Sequence, residues 1–420
     1  MVSLQNVAAL IAAVTILQIG QGLLGVQIPL AFTADGHSRS ALGFVAAAYS
    51  AGYMLGAFGA TTMLARVGHI RVFAASAAIF SVTTLALHGA ATVFAWGTAR
   101  LIGGVAMALM FAAVESWLSS SIGKNERGHV IGVYMVATKA ALAVGPMFAI
   151  GFPIGSPEPW MIAAGIAAIS LVPVCFTAAA QPAPPQAQPL AIREQFRTAP
   201  AAVVAVFGAG FINSGVLALA PLYAAERFGA AAATAFYSAA WVGSLILQWP
   251  AGRLSDRMDR RLVIAMLTGL SAAAALGLAV FRDLVPMWGA MLLFGVWGAG
   301  ALSFYGIAVA HMADRAEHGR IAQSTSGLLF VWASGSIAGP AVVGIVIDVL
   351  GGRGIFWFAG LAAVALTGAM YWRGFVREAP KTSEKEVYAD QATTSVAAAE
   401  IAYGGETGAK VAEAGVEAGR

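Results

Sequence analysis

The stretch GRLSDRMDRRLV, residues 252–263, holds six charged side chains in a chain of which only 10% of residues are charged. It lies between two long apolar runs, so it is expected to form a short loop between two helices. A second stretch, ARVGHIRVFA at residues 65–74, has a similar spacing of arginines but carries Ala65 where an acidic residue would match Asp256. One complete and one incomplete copy of the same loop predict two related halves.

The composition excludes an ordinary soluble protein. Hydrophobic residues make up 59% of the chain and charged residues 10%, whereas soluble domains contain about 25% charged residues. The chain is therefore expected to be an integral membrane protein with the lipid bilayer as a partner. The net charge is +4, but residues from 374 onward carry −3 and the rest of the chain +7. This basic excess is spread over short loops, which is typical of membrane orientation and not of nucleic-acid binding. One cysteine, Cys175, and the lack of a Cys/His cluster predict neither a metal site nor a cofactor.

Twelve apolar runs of about 20 residues are long enough to cross the hydrocarbon core of a bilayer. The predicted fold is therefore all-α and integral to the membrane, with twelve transmembrane helices. The first run has no basic segment before it and no small-residue cleavage site, so we expect it to be retained as a helix. The runs lie near residues 6–30, 41–64, 72–91, 94–119, 130–152, 160–180, 201–224, 232–252, 262–281, 286–311, 321–349 and 354–372.

A proline-rich segment, QPAPPQAQPLAIREQFRTAP, separates the sixth run from the seventh. Its proline density disfavours a continuous helix and predicts a linker. The predicted domains are an N-terminal six-helix bundle at 1–180, a cytoplasmic linker at 181–199 and a C-terminal six-helix bundle at 200–378. Residues 379–420 lack a long apolar run and are predicted to form a disordered cytoplasmic tail.

Similar residues recur at a nearly constant offset in the two halves. Gln21 and Asn213 are 192 positions apart, as are Tyr49 and Trp241, and the Gly-Pro pairs at 145–146 and 339–340 are 194 apart. Several matches at one offset indicate a six-plus-six repeat.

The distribution of basic residues predicts the orientation, because short cytoplasmic loops are enriched in lysine and arginine. Both termini are expected in the cytoplasm, and the protein in a bacterial inner membrane. This places four arginines outside: Arg39, Arg227, Arg282 and Arg353. It places twelve basic residues in inner loops: Arg66, Arg71, Lys124, Arg127, Arg193, Arg197, Arg253, Arg257, Arg260, Arg261, Arg315 and Arg320.

Several motifs resemble those of one transporter family. The pattern glycine, three residues, Asp-Arg, two residues, Arg-Arg occurs as Gly252, Asp256, Arg257, Arg260 and Arg261. Arg100 with Gly104 and Ala108 resembles an arginine-glycine motif, and ALAVGPMFAIG at 141–151 resembles a glycine-proline motif. In these features the chain, up to about residue 375, resembles the Major Facilitator Superfamily. The segments VESWL, QWPAGRLSDRMDRRLV and AVAHMADR are similar to its YcaD-like branch.

The resemblance implies two six-helix bundles around a central site that opens alternately to each side. It also implies that Asp256 and the arginines Arg257, Arg260 and Arg261 form a latch between spans eight and eleven. The alternative is that these arginines only hold the loop in the cytoplasm. Arg66, in the incomplete copy, is a further gating candidate, although without the acidic residue that copy is expected to serve mainly orientation.

Three charged residues fall inside predicted spans: Arg100, Glu115 and Lys139. Because such residues are costly in a membrane, they normally face a cavity or a partner. In one interpretation Arg100 and Lys139 bind an anionic or hydrogen-bonding substrate and Glu115 is a gate or proton site. In the other, Glu115 and Lys139 form a structural ion pair, and Arg100 caps carbonyls or extends outward. His311, near the inner end of span ten, is a further gating candidate, or an interfacial hydrogen-bonding residue.

Amides and aromatic residues suggest the rest of the site. Uncharged amides in a membrane need partners, so they are expected to face the bundle interior, with Gln21 opposite Asn213. The alternative is that they join helices. The further cavity candidates are Gln18, Tyr49, Tyr53, Trp241 and Gln248.

These features predict a monomeric secondary transporter for a small amphipathic organic solute. Drugs, lipophilic metabolites and aromatic vitamins such as flavins fit a cavity with few charges, and proton coupling would rely on Glu115. No nucleotide-binding signature and no catalytic constellation occur, so neither direct ATP drive nor enzymatic activity is expected. The alternative from another class is a non-transporting receptor or assembly scaffold on the same fold.

Overall fold

The computed structural model describes residues 2–122, 126–177, 182, 192–317, 324–325, 327–376, 385, 388 and 395. These residues form helices and turns, and no strand occurs among them. Twelve helical segments of this part of the chain are long and apolar enough to cross a membrane, which confirms the predicted fold class. Spans one to twelve are Val7–Ala34, Arg39–Val67, His69–His88, Val93–Ser121, Gly128–Ala149, Glu158–Cys175, Pro200–Phe228, Ala230–Arg257, Arg260–Val280, Met287–Ala313, Leu328–Leu350 and Gly354–Val376.

Most helices extend beyond the apolar runs that predicted them. Span two begins at Arg39 because the Ser38 hydroxyl caps it, accepting a hydrogen bond from the Ala41 N–H at 3.2 Å. Span eight continues into the charged segment at 252–263 and ends at Arg257. Hydropathy marks the part of a helix that lies in lipid, whereas backbone hydrogen bonding continues until a capping residue interrupts it. The predicted ends of spans two, four, seven and eight are therefore one to five residues short, whereas the predicted third and fifth runs end three residues beyond their helices.

The two Gly-Pro pairs have equivalent packing roles in the two halves. Gly145 of span five lies against the Ile19 carbonyl of span one, and Gly339 of span eleven lies against the Phe211 carbonyl of span seven. A methyl group at either glycine would overlap that carbonyl. The equivalent contacts agree with two six-helix bundles related by a repeat.

The halves meet along two lines, spans two and eleven on one side and spans five and eight on the other. We call the end of the bundle with the loops at 65–74 and 252–263 the basic end, and the opposite end the far end. At the far end, Arg39 Nη2 lies 2.6 Å from Glu226 Oε1, which joins span two to span seven. The rings of Phe58 and Phe330 stack with centroids 4.1 Å apart, so spans two and eleven also touch nearer the basic end.

The linker and the tail are described only in part. Within the predicted linker, Ile192–Thr198 form a short helix, and span seven follows at Pro200. The buried Gln195 donates from Nε2 to the Ser324 carbonyl at 2.9 Å, which attaches this helix to the C-terminal half. Most of the tail predicted to be disordered lies outside the described residues, and Lys385, Tyr388 and Ser395 are its described members.

Candidate substrate-binding site

Two adjoining cavities lie between the halves and share Gln18 and Trp241 in their walls. The larger, of about 280 Å³, is the Arg100 cavity; the smaller, of about 150 Å³, is the Lys139 cavity. All nine residues that the sequence suggested for the cavity line one or both of them. The Arg100 cavity has Gln18, Gln21, Tyr49, Tyr53, Arg100 and Trp241, and the Lys139 cavity has Gln18, Lys139, Asn213, Trp241 and Gln248.

Arg100 presents a positive charge to the larger cavity. Its guanidinium carbon lies 3.9 Å from the centroid of the Tyr49 ring, a cation–π contact, and the Tyr49 hydroxyl accepts a hydrogen bond from the Gln21 side chain. The buried Arg100 Nε makes no hydrogen bond within the described part of the chain. No carboxylate of the described residues forms a salt bridge with Arg100. This arrangement leaves a donor for a ligand acceptor.

Lys139 joins the two halves inside the smaller cavity. Its Nζ donates to Ser244 Oγ at 2.7 Å and to the Leu302 carbonyl at 3.2 Å. Lys139 belongs to span five, whereas Ser244 belongs to span eight and Leu302 to span ten. A buried ammonium group therefore holds three helices together at the interface between the halves.

The Leu302 carbonyl is available because span ten is discontinuous. Its helix ends at Ala301 and resumes at Phe304, so the carbonyls of Ala301 and Leu302 lie at the break between the two helical segments. The Ala301 carbonyl accepts from Asn213 Nδ2 at 2.8 Å, and the Leu302 carbonyl accepts from Lys139. Irregular backbone is tolerated within a membrane where it is buried in protein or lines a cavity. The break thus places two backbone acceptors at the site.

Glu115 is completely buried beside the Lys139 cavity. One carboxylate oxygen accepts from the Tyr134 hydroxyl and the other from the Ser395 hydroxyl. Since Tyr134 also lines the Lys139 cavity, it connects the carboxylate to that space. Glu115 is therefore placed where a proton could move between the cavity and a buried acid.

The charged side chains of the segment at 252–263 form two clusters. Arg260 Nε lies 2.7 Å from Asp314 Oδ2 with both side chains fully buried, and Arg260 Nη1 lies 3.4 Å from Asp256 Oδ1. Arg261 Nη2 lies 2.7 Å from Asp259 Oδ2. The charged contacts of the described residues thus join span eight, span nine and the residue after span ten, whereas the resemblance implied a latch to span eleven.

The remaining gating candidates differ in exposure. Arg66 and Arg257 are exposed, and His311 is buried in the wall of a separate cavity at the basic end. Burial acts to raise the pKa of Asp259, but hydrogen bonds from the side chain and backbone of Arg261 outweigh it and hold that pKa below its ordinary value. Asp259 is therefore a charged cap for span nine.

Two described residues of the tail lie at the basic end, and a third reaches further into the bundle. The Tyr388 N–H donates to Asp256 Oδ1 at 2.9 Å, and Lys385 donates to the Met258 carbonyl. Partial burial and the nearby Arg260 lower the pKa of Lys385. The buried Ser395 reaches Glu115 in the N-terminal half. The described tail residues therefore contact both halves, next to two predicted gating acids.

Sequence reasoning missed several members of the site. Tyr134 and Thr138 line the Lys139 cavity, and their spacing of four residues places them on one helical face with each other, but five and one positions from Lys139 that spacing did not place them beside it. Ser244 and Asp314 gave no local signal either, because their partners lie 105 and 54 positions away in sequence. These contacts depend on how the helices pack.

The family follows from comparison with known proteins. The family model described as Major Facilitator Superfamily matches residues 10–323 and 238–403. The chain belongs to this superfamily. Its members are transporters, so the chain is not an enzyme. A protein from Salmonella dublin named as an uncharacterized MFS-type transporter, YcaD, is 24% identical over 340 residues, covering 80% of this chain and 87% of the relative.

Solved transporters share the fold of this superfamily member. A bacterial homologue of the human lysosomal transporter Spinster aligns with a TM-score of 0.69 at 13% identity, covering 90% of this chain and 97% of the other. A mutant of the nucleoside transporter NupG aligns with a TM-score of 0.70 at 15% identity, covering 89% and 99%. At these identities the likeness concerns the fold alone.

Proposed function

We propose that this superfamily member is a secondary active transporter of a small amphipathic organic solute in a bacterial inner membrane. The observation that carries the proposal is the pair of adjoining cavities between the halves, where Arg100 keeps an unused Nε donor beside aromatic rings. Apolar and aromatic walls with a few polar groups suit an organic molecule that has one anionic or hydrogen-bonding end. Alternating access would expose these cavities to each side in turn.

The basic end faces the cytoplasm in this proposal. Support comes from the arginines of the two related loops, since short cytoplasmic loops accumulate basic residues. The far end, where Arg39 contacts Glu226 and joins span two to span seven, would then face the outside.

Glu115 is the proposed proton site. Its carboxylate is fully buried, and Tyr134 links it to the cavity wall. An ionisable group within a span is a functional candidate because its charge is costly there. Protonation of Glu115 would remove that charge and weaken its hold on Tyr134 and Ser395, and so favour one access state.

The test begins with the solute. Metabolite uptake and efflux are compared between a strain lacking the gene and its parent, and the solutes that differ most are then offered to the purified protein in liposomes. Movement of an amphipathic organic solute, inhibited by substitution of cavity residues, would support the proposal. If the intact protein moves none of these solutes, the receptor or scaffold alternative is favoured.

A further inference from the structure

A third cavity, of about 240 Å³, lies at the basic end, apart from the two central ones. The start of span seven forms one wall, and Arg261, His311, Arg315 and Arg373 contribute from span nine, the end of span ten, the turn after it and the end of span twelve. The transport proposal makes no use of it. Its walls combine five separate parts of the C-terminal half around one small space.

The start of span seven supplies uncapped backbone donors. Its N-cap residue, Ala199, provides no side-chain hydrogen bond, and the helix then runs for 29 residues from Pro200 to Phe228. The first turn of a helix leaves N–H groups without intrahelical partners, and the helix dipole makes this end positive. Such an end binds phosphate and carboxylate groups when other groups support it.

His311 supplies the second, independent indication of a ligand. Its side chain is only 2% exposed, and its Nδ1 is buried without a hydrogen-bond partner in the described part of the chain. A buried polar nitrogen without a partner is unfavourable, and polar groups in protein interiors are nearly always satisfied. In the tautomer that carries the proton on Nδ1, His311 would donate to a ligand oxygen in this cavity.

The charge of the cavity is positive. Its lining within the described residues has three guanidinium groups, those of Arg261, Arg315 and Arg373, and no carboxylate. Asp259 compensates Arg261, which also donates from Nη1 to the Arg373 carbonyl at 2.7 Å. Arg373 forms no salt bridge within the described part of the chain and can balance an anion, and arginine is well suited to bind the oxygens of phosphate.

The position of the cavity indicates the source of the anion. Arg373 and Val376 lie in the last turn of span twelve, next to the exposed side chains of Trp372 and Phe375. Exposed aromatic and apolar residues at the end of a span are typical of the interface between lipid and water. Basic pockets between spans at that level suit lipid headgroups. A phosphate group in the cavity would thus have room for acyl chains along span twelve.

We propose that this cavity binds a phosphate group, supplied by the headgroup of an anionic phospholipid. Free phosphate shares the same chemistry, and the experiment separates the two sources. The inference is independent of the transported solute, because binding can be measured without transport.

The experiment follows thermal unfolding of the full-length protein in detergent while phosphatidylglycerol, phosphatidylcholine or inorganic phosphate is added at constant ionic strength. We expect phosphatidylglycerol to raise the unfolding temperature most. In Arg373→Gln the concentration for half of the effect should rise about tenfold, the loss expected for one charge-assisted hydrogen bond. This variant should fold, because Arg261 contacts the backbone carbonyl of Arg373 and not its side chain.

Arg253→Gln is the matched control, since it removes the same charge from an exposed side chain at the same end, outside the cavity. An Arg373-dependent effect of phosphatidylglycerol supports the lipid as the source. If inorganic phosphate raises the unfolding temperature as much as phosphatidylglycerol does, and this effect also depends on Arg373, the cavity binds phosphate but its source is soluble. Absence of any stabilisation, or equal responses in Arg373→Gln and Arg253→Gln, would overturn the proposal.

Discussion

Lys139 Nζ lies 2.7 Å from Ser244 Oγ, and this hydrogen bond joins span five to span eight across the interface between the two halves. If the halves move apart at this interface during alternating access, the contact has to break and re-form in each cycle. The Leu302 carbonyl, the second acceptor of the ammonium group, lies at the break in span ten. The same lysine therefore faces the cavity and couples the helices that surround it.

Lys139→Met should lower transport by about tenfold or more, because it removes a charged donor worth more than one ordinary hydrogen bond. The unfolding temperature should stay near that of the wild type, since the desolvation cost of the buried ammonium group disappears together with its two hydrogen bonds and Ser244 keeps the Leu302 carbonyl as an acceptor at 3.3 Å. Uptake into liposomes and thermal unfolding measure the two effects. Ser244→Ala leaves Lys139 its carbonyl partner and should have a smaller effect. Wild-type uptake by Lys139→Met would contradict the assigned role.

Arg100→Gln should remove a preference for anionic ligands. The free Nε donor and the positive charge predict that aromatic carboxylates bind more tightly than their uncharged amides, by about tenfold. Salicylate and salicylamide form one such pair, and quenching of tryptophan fluorescence from Trp241 and Trp332 in the cavity walls reports binding. In the variant the ratio of the two affinities should fall to about one. An unchanged ratio would rule out Arg100 as the anion contact.

Glu115→Gln should abolish proton-driven accumulation while leaving exchange of solute at equal pH within about threefold of the wild type. The glutamine keeps the shape of the buried carboxylate and one acceptor oxygen, its amide group can donate to the other hydroxyl, and it cannot titrate. Accumulation is followed in liposomes with and without a pH gradient. Proton-dependent transport that survives in the variant would show that Glu115 is not the coupling site.

Asp314→Asn should lower the free energy of unfolding by about 3 kcal/mol, because it leaves the fully buried Arg260 without its closest counter-charge. Replacement of both partners by apolar residues, Arg260→Met with Asp314→Leu, should restore much of that loss. Unfolding in detergent with increasing denaturant gives the three values. Equal stabilities for the single variant and the wild type would show that the pair is not stabilising.

Asp256→Asn should slow transport more than Ala65→Ser, since Asp256 contacts Arg260 and the Tyr388 backbone whereas Ala65 is exposed. Its side chain remains one-third exposed, so the change in stability should stay below about 1 kcal/mol. Initial rates of uptake compare the two variants. Equal rates in both would reduce the loop at 252–263 to an orientation signal.

Much of the fold could be predicted because it depends on local composition. The twelve apolar runs predicted twelve spans, which the described part of the chain has. The recurring Gly-Pro pairs indicated related halves, and both pairs pack a glycine against a carbonyl of a neighbouring span. The cavity residues could also be predicted as a set, since polar side chains in a membrane are stable mainly where they face the interior. Their individual roles remain predictions.

The missing parts of the site depend on tertiary packing. The partner of Arg260 was not visible in sequence, because Asp314 lies after span ten and becomes its neighbour only when spans nine and ten pack together. Ser395 likewise reaches Glu115 from a position 280 residues away. The break in span ten was also missed, since an uninterrupted apolar run gives no sign that its helix stops at Ala301.

The acceptors at Ala301 and Leu302 have a consequence for mutational scanning. Because these positions contribute carbonyl groups, a new side chain at either one still presents the same oxygen to Asn213 or Lys139. Substitution at either position therefore leaves these two contacts in place, although the buried Ala301 accepts only a side chain of similar size. Only a change that makes the helix continuous through residues 301–304 would withdraw the oxygens, so loss of the contacts to Asn213 and Lys139 should follow the course of the backbone.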